Sequence, residues 1–525
     1  EASAPRHALR VRFGKKTGSL VRPDRKGRFK MAGEGMTISR RRFAGLMAGS
    51  MAVAAMGGLF GCAPESAATS EAKKSFDYDV VVLGGGGAGM SAAGKAAEAG
   101  AKTILLEKKD WLAGSSSICL GGFYGANSVI QRNYGITDDT PESLLEYFMR
   151  RNGDKLDYDV QEFCAYHFGE TIDWLAEDLN VPFQEKPLLK GSDTVPRQAR
   201  CLNSGMDALS AVHEWALDQG AEVKYGVAGE SLIVEDDGSV SGVIARTNIG
   251  EAIRYNAKSV IVATGGFCRN HEMISEYMPD FASISTEVGV GSTGEGLRMG
   301  LDIGADYIGH GGVNGILWCP AAAGQSKLID KKALWVAPDG KRFENEAGQT
   351  HDIFYKVAKF DGTKFYAVYD QAMVDKLEGV PANDFKIGME KGMFAQGDTV
   401  AEAAEKLGLD GATVQATLDA YNAMAEAGED TEFGKKAENL LPITQAPFYV
   451  LTMSVTSHGS FGGYRVNTDF QVLDTDGVPI PNLYSAGEVC SGTFIYDEYP
   501  AGGCGLNWAY TSGRFSGENA AKAAV

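Results

Sequence analysis

The chain has 525 residues, 44% hydrophobic and 22% charged, which is enough for a large cofactor domain and a second domain, each with a true core. Its formal net charge of −18 is unevenly spread: residues 1–62 hold 13 of the 50 Lys and Arg but only 3 of the 68 Asp and Glu, leaving 37 basic against 65 acidic side chains over residues 63–525. So acidic a body repels a phosphate backbone, which excludes nucleic-acid binding, and it suits docking to a basic redox partner. The 67 glycines follow no collagen repeat and imply tight turns and close backbone approaches. None of the eight cysteines (Cys62, Cys119, Cys164, Cys201, Cys268, Cys319, Cys490, Cys504) sits in a C-x-x-C pair, so no local spacing supports a metal site. They read as isolated buried thiols, with a cluster assembled from distant cysteines left open.

Residues 1–35 are basic and read as an upstream extension without a structural role; Met36 suits a start of translation. Ser39-Arg40-Arg41-Arg42-Phe43 then precedes an apolar, small-residue stretch from Ala44 to Phe60, the pattern of a twin-arginine export signal over 36–62. It ends at Leu59-Phe60-Gly61-Cys62, similar to a lipobox, so the expectation is an exported protein anchored by a lipid on Cys62 at the extracytoplasmic face of the membrane. Cleavage without lipidation and a retained anchor stay open. Residues 63–76 read as a linker.

Asp79-Val80-Val81-Val82-Leu83 predicts a buried strand, followed by Gly84-Gly85-Gly86-Gly87-Ala88-Gly89 and a helical pattern from Met90 to Ala99. Gly84, Gly86 and Gly89 have the G-x-G-x-x-G spacing: the first permits the turn, the second lets a pyrophosphate approach, and the third lets helix and strand pack closely. The helix start offers free N–H groups to phosphate, with Gly87 and Ala88 among them. A second strand, Thr103-Ile104-Leu105-Leu106, ends at Glu107, placed to accept hydrogen bonds from a ribose. Short strands are expected at Val223–Tyr225 and Val240–Ala245, the latter entered through the turn Asp236-Asp237-Gly238. Residues 400–426 have helical apolar spacing.

Gly114-Ser115-Ser116-Ser117 with Gly121-Gly122, then Val260-Ile261-Val262-Ala263-Thr264-Gly265-Gly266, then Leu483-Tyr484-Ser485-Ala486-Gly487-Glu488 follow in order. This series resembles the FAD-dependent fumarate reductase/succinate dehydrogenase flavoprotein family, of the soluble flavocytochrome c type, from about Asp77 to the C-terminus. The resemblance implies an α/β fold: a split, Rossmann-like FAD-binding domain of the glutathione reductase kind (77–305 and 458–525) with an inserted α+β cap domain (306–457). It implies FAD as cofactor, bound by the Gly84–Gly89 turn, Glu107, Ser115, Ser116, Gly121, Gly122, Thr264, Gly265, Gly266, Glu295 and Glu488. Membrane-complex members carry a flavin-linked histidine where this chain has Ser115, so the expectation is non-covalent FAD.

Reduction of an activated alkene needs a hydride, an acid for the second carbon, and donors that hold the conjugated carbonyl. Lys341-Arg342-Phe343-Glu344-Asn345-Glu346 resembles the family's K-R-F-x-N-E run. Where fumarate reductases then place their acid arginine, this chain has His351-Asp352, one residue later, so His351 is the expected proton donor and Tyr355 the reserve. A solvent-facing His351 without a role stays open. Tyr499-Pro500-Ala501-Gly502-Gly503 resembles the Tyr-Pro-x-x-Gly of 3-ketosteroid dehydrogenases, which implies that the Tyr499 hydroxyl and the Gly503 amide polarise a ketone. The Gly505 and Leu506 amides would face the flavin. His458 keeps the first histidine of the fumarate reductase pair, and Gly459 replaces the second. Tyr124 and His310 complete the expected substrate pocket. Around 320–330 the family's carboxylate-binding threonine, glutamate and arginine are not found, so a bulky, neutral or weakly charged enone (steroid-like or phenolic) is expected rather than fumarate.

No C-x-x-C-H haem site or second flavin module is recognisable. The expectation is therefore an anaerobic-respiration reductase fed by a separate membrane cytochrome or quinol chain. A 3-ketosteroid or tricarballylate type of dehydrogenase running oxidatively, and a flavin-bearing electron carrier, stay open as alternatives.

Overall fold

The computed structural model describes residues 72–525 except 113, 153–154, 191–192, 323–325 and 349, with the side chains of 152 and 351 also left out. The export signal, Cys62 and residues 63–71 of the linker lie outside the described residues, and the end of the expected linker, Lys74 to Phe76, is instead the start of the first strand, paired with Ile253 to Tyr255. Among the described residues no helix is long and apolar enough to cross a membrane.

The predicted first strand is Lys74–Leu83, and Val80, Val81 and Val82 are fully buried, as a strand covered on both faces requires. Five parallel strands lie in the order Glu222–Tyr225, Thr103–Glu107, Lys74–Leu83, Ala252–Val262, Pro479–Ser485. Read by chain position this is the 3-2-1-4-5 order of a doubly wound nucleotide-binding sheet. The order reverses between Lys74–Leu83 and Ala252–Val262, and ligands bind in such sheets at that reversal, beyond the C-terminal strand ends. An antiparallel ribbon, Val227–Val234 with Val240–Thr247, turns at Gly238 (φ 84°) and pairs with Ala252–Asn256. The strand Gln471–Leu473 completes eight.

The helix Gly87–Glu98 is crossed by the C-terminal helix Cys504–Ala524. A β-carbon on Gly513 or Gly517 would come within 2.3 or 2.2 Å of the Ala88 or Ala92 carbonyl, so the crossing needs bare backbone. This contact ties the end of the chain to the nucleotide turn.

The inserted region has its own antiparallel sheet, in the order Tyr307–Trp318, Phe448–Tyr464, Lys364–Asp370, Leu334–Val336. The strand Phe448–Tyr464 runs on without a break past residue 457, where the sequence predicts the return to the flavin domain. The helix expected over 400–426 is two helices, Val400–Glu405 and Gly411–Ala427. Gly408, with φ 81°, ends the first, and Asp410 caps the second by accepting a hydrogen bond from the Thr413 amide at 3.1 Å.

The K-R-F-x-N-E run forms the polar centre of this region. Arg342, its side chain 2% exposed, donates from Nε and Nη2 to Glu346 at 2.9 Å each and from Nη1 and Nη2 to Asp430 at 2.9 and 2.7 Å. Lys435 lies 3.2 Å from Glu346. Burial opposes ionisation of Asp430, but Arg342 and the amides of Lys435 and Phe433 outweigh it and hold the carboxyl well below its usual range. Removing the arginine leaves two buried carboxylates facing one lysine. Arg342→Met is expected to destabilise the protein by about 3–5 kcal/mol, measured as a lower urea midpoint; an unchanged midpoint would contradict a structural role.

Candidate active site

A cleft of about 1010 Å³ opens at the sheet reversal and is walled by both regions. Gly84 has φ 104°, and a β-carbon there would lie 2.5 Å from the Ala263 carbonyl. A β-carbon on Gly89 would lie 1.8 Å from the Gly84 carbonyl. On Gly86 it would meet nothing within 4 Å, because that position faces open space. The turn is therefore closed behind and open in front, the shape a pyrophosphate needs. Glu107 accepts the Gly85 amide at 2.6 Å and the Lys109 amide at 2.8 Å, which leaves carboxylate lone pairs for the cleft. Thr264 lines the same wall, and its buried Oγ1 has no hydrogen-bond partner among the described residues. An open glycine cradle and an orphaned hydroxyl fit the dinucleotide implied by the sequence.

Ser116 Oγ accepts the Gly87 amide at 3.2 Å, and Ser115 Oγ accepts the Gly289 amide at 3.0 Å. These serines fasten the start of the 114–122 segment to the nucleotide turn at Gly87 and to the loop at Gly289. Gly121 (φ 70°) and Gly122 continue that wall. Glu295 also lines it, 3.0 Å from the Lys108 ammonium. Glu488 accepts the Ser460 amide at 2.8 Å, and burial pushes its carboxyl up. Gly266 is not on the wall; a β-carbon there would come within 2.1 Å of Glu488 Oε1, so its role is to make room for that carboxylate. Gly459 and His458 flank Glu488 on the wall. Burial holds the His458 imidazole below its usual range, so it is neutral near pH 7.

At the far end the C-terminal helix begins at Cys504, capped by Gly503 with φ 106°. Tyr499 and Gly503 both line the cleft. The Tyr499 ring stacks on Phe461 (5.8 Å between centroids, 5° between planes). The Gly505 amide donates to the Tyr499 hydroxyl at 2.7 Å. Gly505 thus positions the tyrosine, and its amide is not open to the flavin as the sequence predicts; Leu506 remains on the wall. Burial pushes the Tyr499 phenol up, so it keeps its proton.

Two expected pocket residues, Tyr124 and His310, and the reserve proton donor Tyr355 lie elsewhere. Tyr124 is fully buried with its hydroxyl on Asp193, inside a network in which Arg197 bonds Asp193 and Asp139 at 2.7 Å each. Tyr355 donates to the Asp497 carbonyl at 2.7 Å and faces a shallow outer pocket with Lys356 and Lys359. His310 stacks on Tyr496 (3.5 Å between centroids) behind the wall. His351 lies on the helix Thr350–Val357, whose Thr350 and Ile353 reach the cleft; its side chain is outside the described residues.

The cleft also holds residues that no motif announced. Lys190, Arg200 and Lys331 line it. They come from a loop, a three-residue strand and the inserted region, and Lys331 stands one position beyond the window searched for a carboxylate-binding arginine.

Residues 79–506 match the family described as FAD binding domain. The urocanate reductase of Eggerthella lenta is 31% identical over 462 residues, which is 85% of this chain and 75% of that protein. A probable fumarate reductase of Shewanella frigidimarina is 29% identical over 454 residues, again 85% of this chain and 75% of that protein. An open conformation of a flavocytochrome c3 fumarate reductase superposes with a TM-score of 0.73 at 28% identity, covering 87% of this chain and 79% of the other.

A β-carbon at residue 86 meets nothing within 4 Å, so Gly86→Val directs its side chain into the open cradle. It is expected to leave the denaturation midpoint of the cofactor-free protein unchanged while abolishing the flavin absorbance near 450 nm; full flavin uptake would contradict the cradle. Because His458 has a folded-state pKa below its unfolded value of about 6.5, the unfolded chain binds the extra proton and stability falls as the pH drops through that region. His458→Gln is expected to flatten that fall in urea midpoints measured between pH 7 and 5, and an identical slope would contradict it.

Proposed function

As a member of the FAD-binding-domain family the chain is an FAD-dependent oxidoreductase, and we propose that it reduces a carbon–carbon double bond conjugated to a carbonyl group. The observation that carries this reading is the Tyr499 hydroxyl, half-buried, protonated and already accepting the Gly505 amide, at the cleft end where the C-terminal helix starts. A phenol so held has its own proton to give to a guest carbonyl. The Gly503 amide adds a second donor at the positive end of the helix. Donors aimed at an oxygen that gains negative charge are the largest single source of acceleration in such reactions.

The bound flavin supplies the hydride. Glu107 and the Gly84–Gly89 turn would hold its nucleotide half, and Glu488 and Ser116 would serve the region toward the ring. We assign the proton for the second carbon to His351, on the first turn of the helix that adds Thr350 and Ile353 to the wall. Trp318, Trp335 and Ile353 make that side apolar, which suits a ring-bearing guest larger than fumarate. The reductive direction is supported by the fumarate reductase and urocanate reductase names of the relatives, since both named compounds contain a conjugated alkene. Electrons would come from a separate cytochrome or quinol chain. Export by residues 36–62 and a lipid on Cys62 would hold the enzyme at the outer face of the membrane, beside such a donor.

Tyr499→Phe and His351→Asn are each expected to slow alkene reduction driven by reduced viologen by about 10²-fold or more with FAD retained. Near-normal turnover in either variant removes that residue's role. Acid precipitation is expected to release the flavin into the supernatant, because Ser115 offers no linkage; a yellow pellet would contradict non-covalent binding.

A further inference from the structure

At the substrate end of the cleft wall three cations have no carboxylate partner among the described residues. The segment 184–200 is a hairpin: the Gln184 amide donates to the Arg200 carbonyl at 2.8 Å, and Leu188 and Gln198 exchange backbone bonds at 2.9 and 3.1 Å. Arg197, fixed between Asp139 and Asp193, locks the hairpin from behind. In front, Lys190 and Arg200 line the cleft, and Lys331 joins them from the inserted region. They belong to the substrate end. A β-carbon on Gly502 would lie 3.7 Å from Lys190 Cδ, the Gln198 side chain donates to the Gly502 carbonyl, and Arg200 pairs in register with Gly122. Lys108 and Lys109 lie at the other end, beside Glu107.

Two other cations on the wall are paired, Arg151 with Glu498 and Lys108 with Glu295 at 3.0 Å, and Lys109 belongs to the nucleotide end. Lys190, Arg200 and Lys331 have no carboxylate partner among the described residues. Burial, then the charge of Arg200, then that of Lys331 hold the Lys190 ammonium below the usual lysine range. Like charges gathered in a partly dry cleft destabilise one another, and an anion placed among them reverses the sign of that interaction.

We infer that Lys190, Arg200 and Lys331 bind an acidic group of the substrate, so that the guest is a conjugated alkene bearing a carboxylate. This rests on the reading of the cleft as a conjugated-alkene site. It replaces the neutral guest expected from the missing arginine motif: the charge anchor is present but is built from other parts of the chain. The bulk of the guest lies against Trp318, Trp335 and Ile353, and its charge lies toward the hairpin.

The test is equilibrium binding to the oxidised, FAD-loaded full chain at pH 7, read as the flavin difference spectrum, with trans-cinnamate and its methyl ester as probes. A charge-assisted contact contributes enough for about tenfold in affinity or more. The acid is expected to bind at least about tenfold tighter than the ester. That preference should shrink several-fold in Lys190→Met, Arg200→Gln and Lys331→Met, each checked for retained flavin absorbance. Equal or tighter ester binding, no perturbation by the acid, or an undiminished preference in all three variants overturns the inference. If the acid is preferred but no conjugated compound reoxidises the reduced flavin, the anion site stands and the proposed reaction fails.

Discussion

The carbonyl of Ala263 lies 2.5 Å from where a β-carbon of residue 84 would have to be, and the cleft depends on that contact. It brings together the C-terminal ends of Lys74–Leu83 and Ala252–Val262, the two strands at which the sheet reverses its winding. Once they meet there, Gly89 can set its helix against the turn, and the Gly86 position is left facing empty space. The C-terminal helix lies on the same Ala88–Ala92 backbone, so Gly503 and Tyr499 arrive at a distance fixed by the nucleotide turn itself. Cofactor end and substrate end are thus two consequences of one backbone packing arrangement.

Two buried arginines carry the walls. Arg197 holds the hairpin that presents Lys190 and Arg200, and Arg342 holds the inserted region that presents Trp335 and Lys331. Ion pairs of this kind add little net stability compared with apolar packing, but breaking one leaves an uncompensated buried charge, so the geometry they specify is hard to relax. The cations in front of them differ in kind. They are set on rigid supports, have no carboxylate partner among the described residues, and line the cleft.

The nucleotide half was legible in the sequence because its chemistry is local. A turn, a helix start and a strand-end carboxylate follow one another within 24 residues, and Gly84, Gly86, Gly89 and Glu107 stand where their spacing implies. The substrate half was less legible because it is assembled from distant segments. Nothing local shows that Tyr124 turns inward to Asp193. Ile353 lies on the cleft wall, and Tyr355, two positions on and so about 200° round the helix, points to Asp497 instead. Lys190 and Lys331 match no motif, and only the hairpin and the inserted sheet bring them together. The resemblance in the last loop was more informative, since Tyr499 and Gly503 both reach the cleft, although the Gly505 amide serves the tyrosine hydroxyl.

The most direct measurement is a single-turnover one. The FAD-loaded protein is reduced anaerobically with one equivalent of dithionite, mixed with a conjugated unsaturated acid, and followed through flavin absorbance while the product is identified by mass. Recovery of the oxidised spectrum with one saturated product formed per flavin is the predicted result. A flavin that stays reduced in the presence of every conjugated carbonyl compound, or that reoxidises without adding two hydrogens to the alkene, would contradict it.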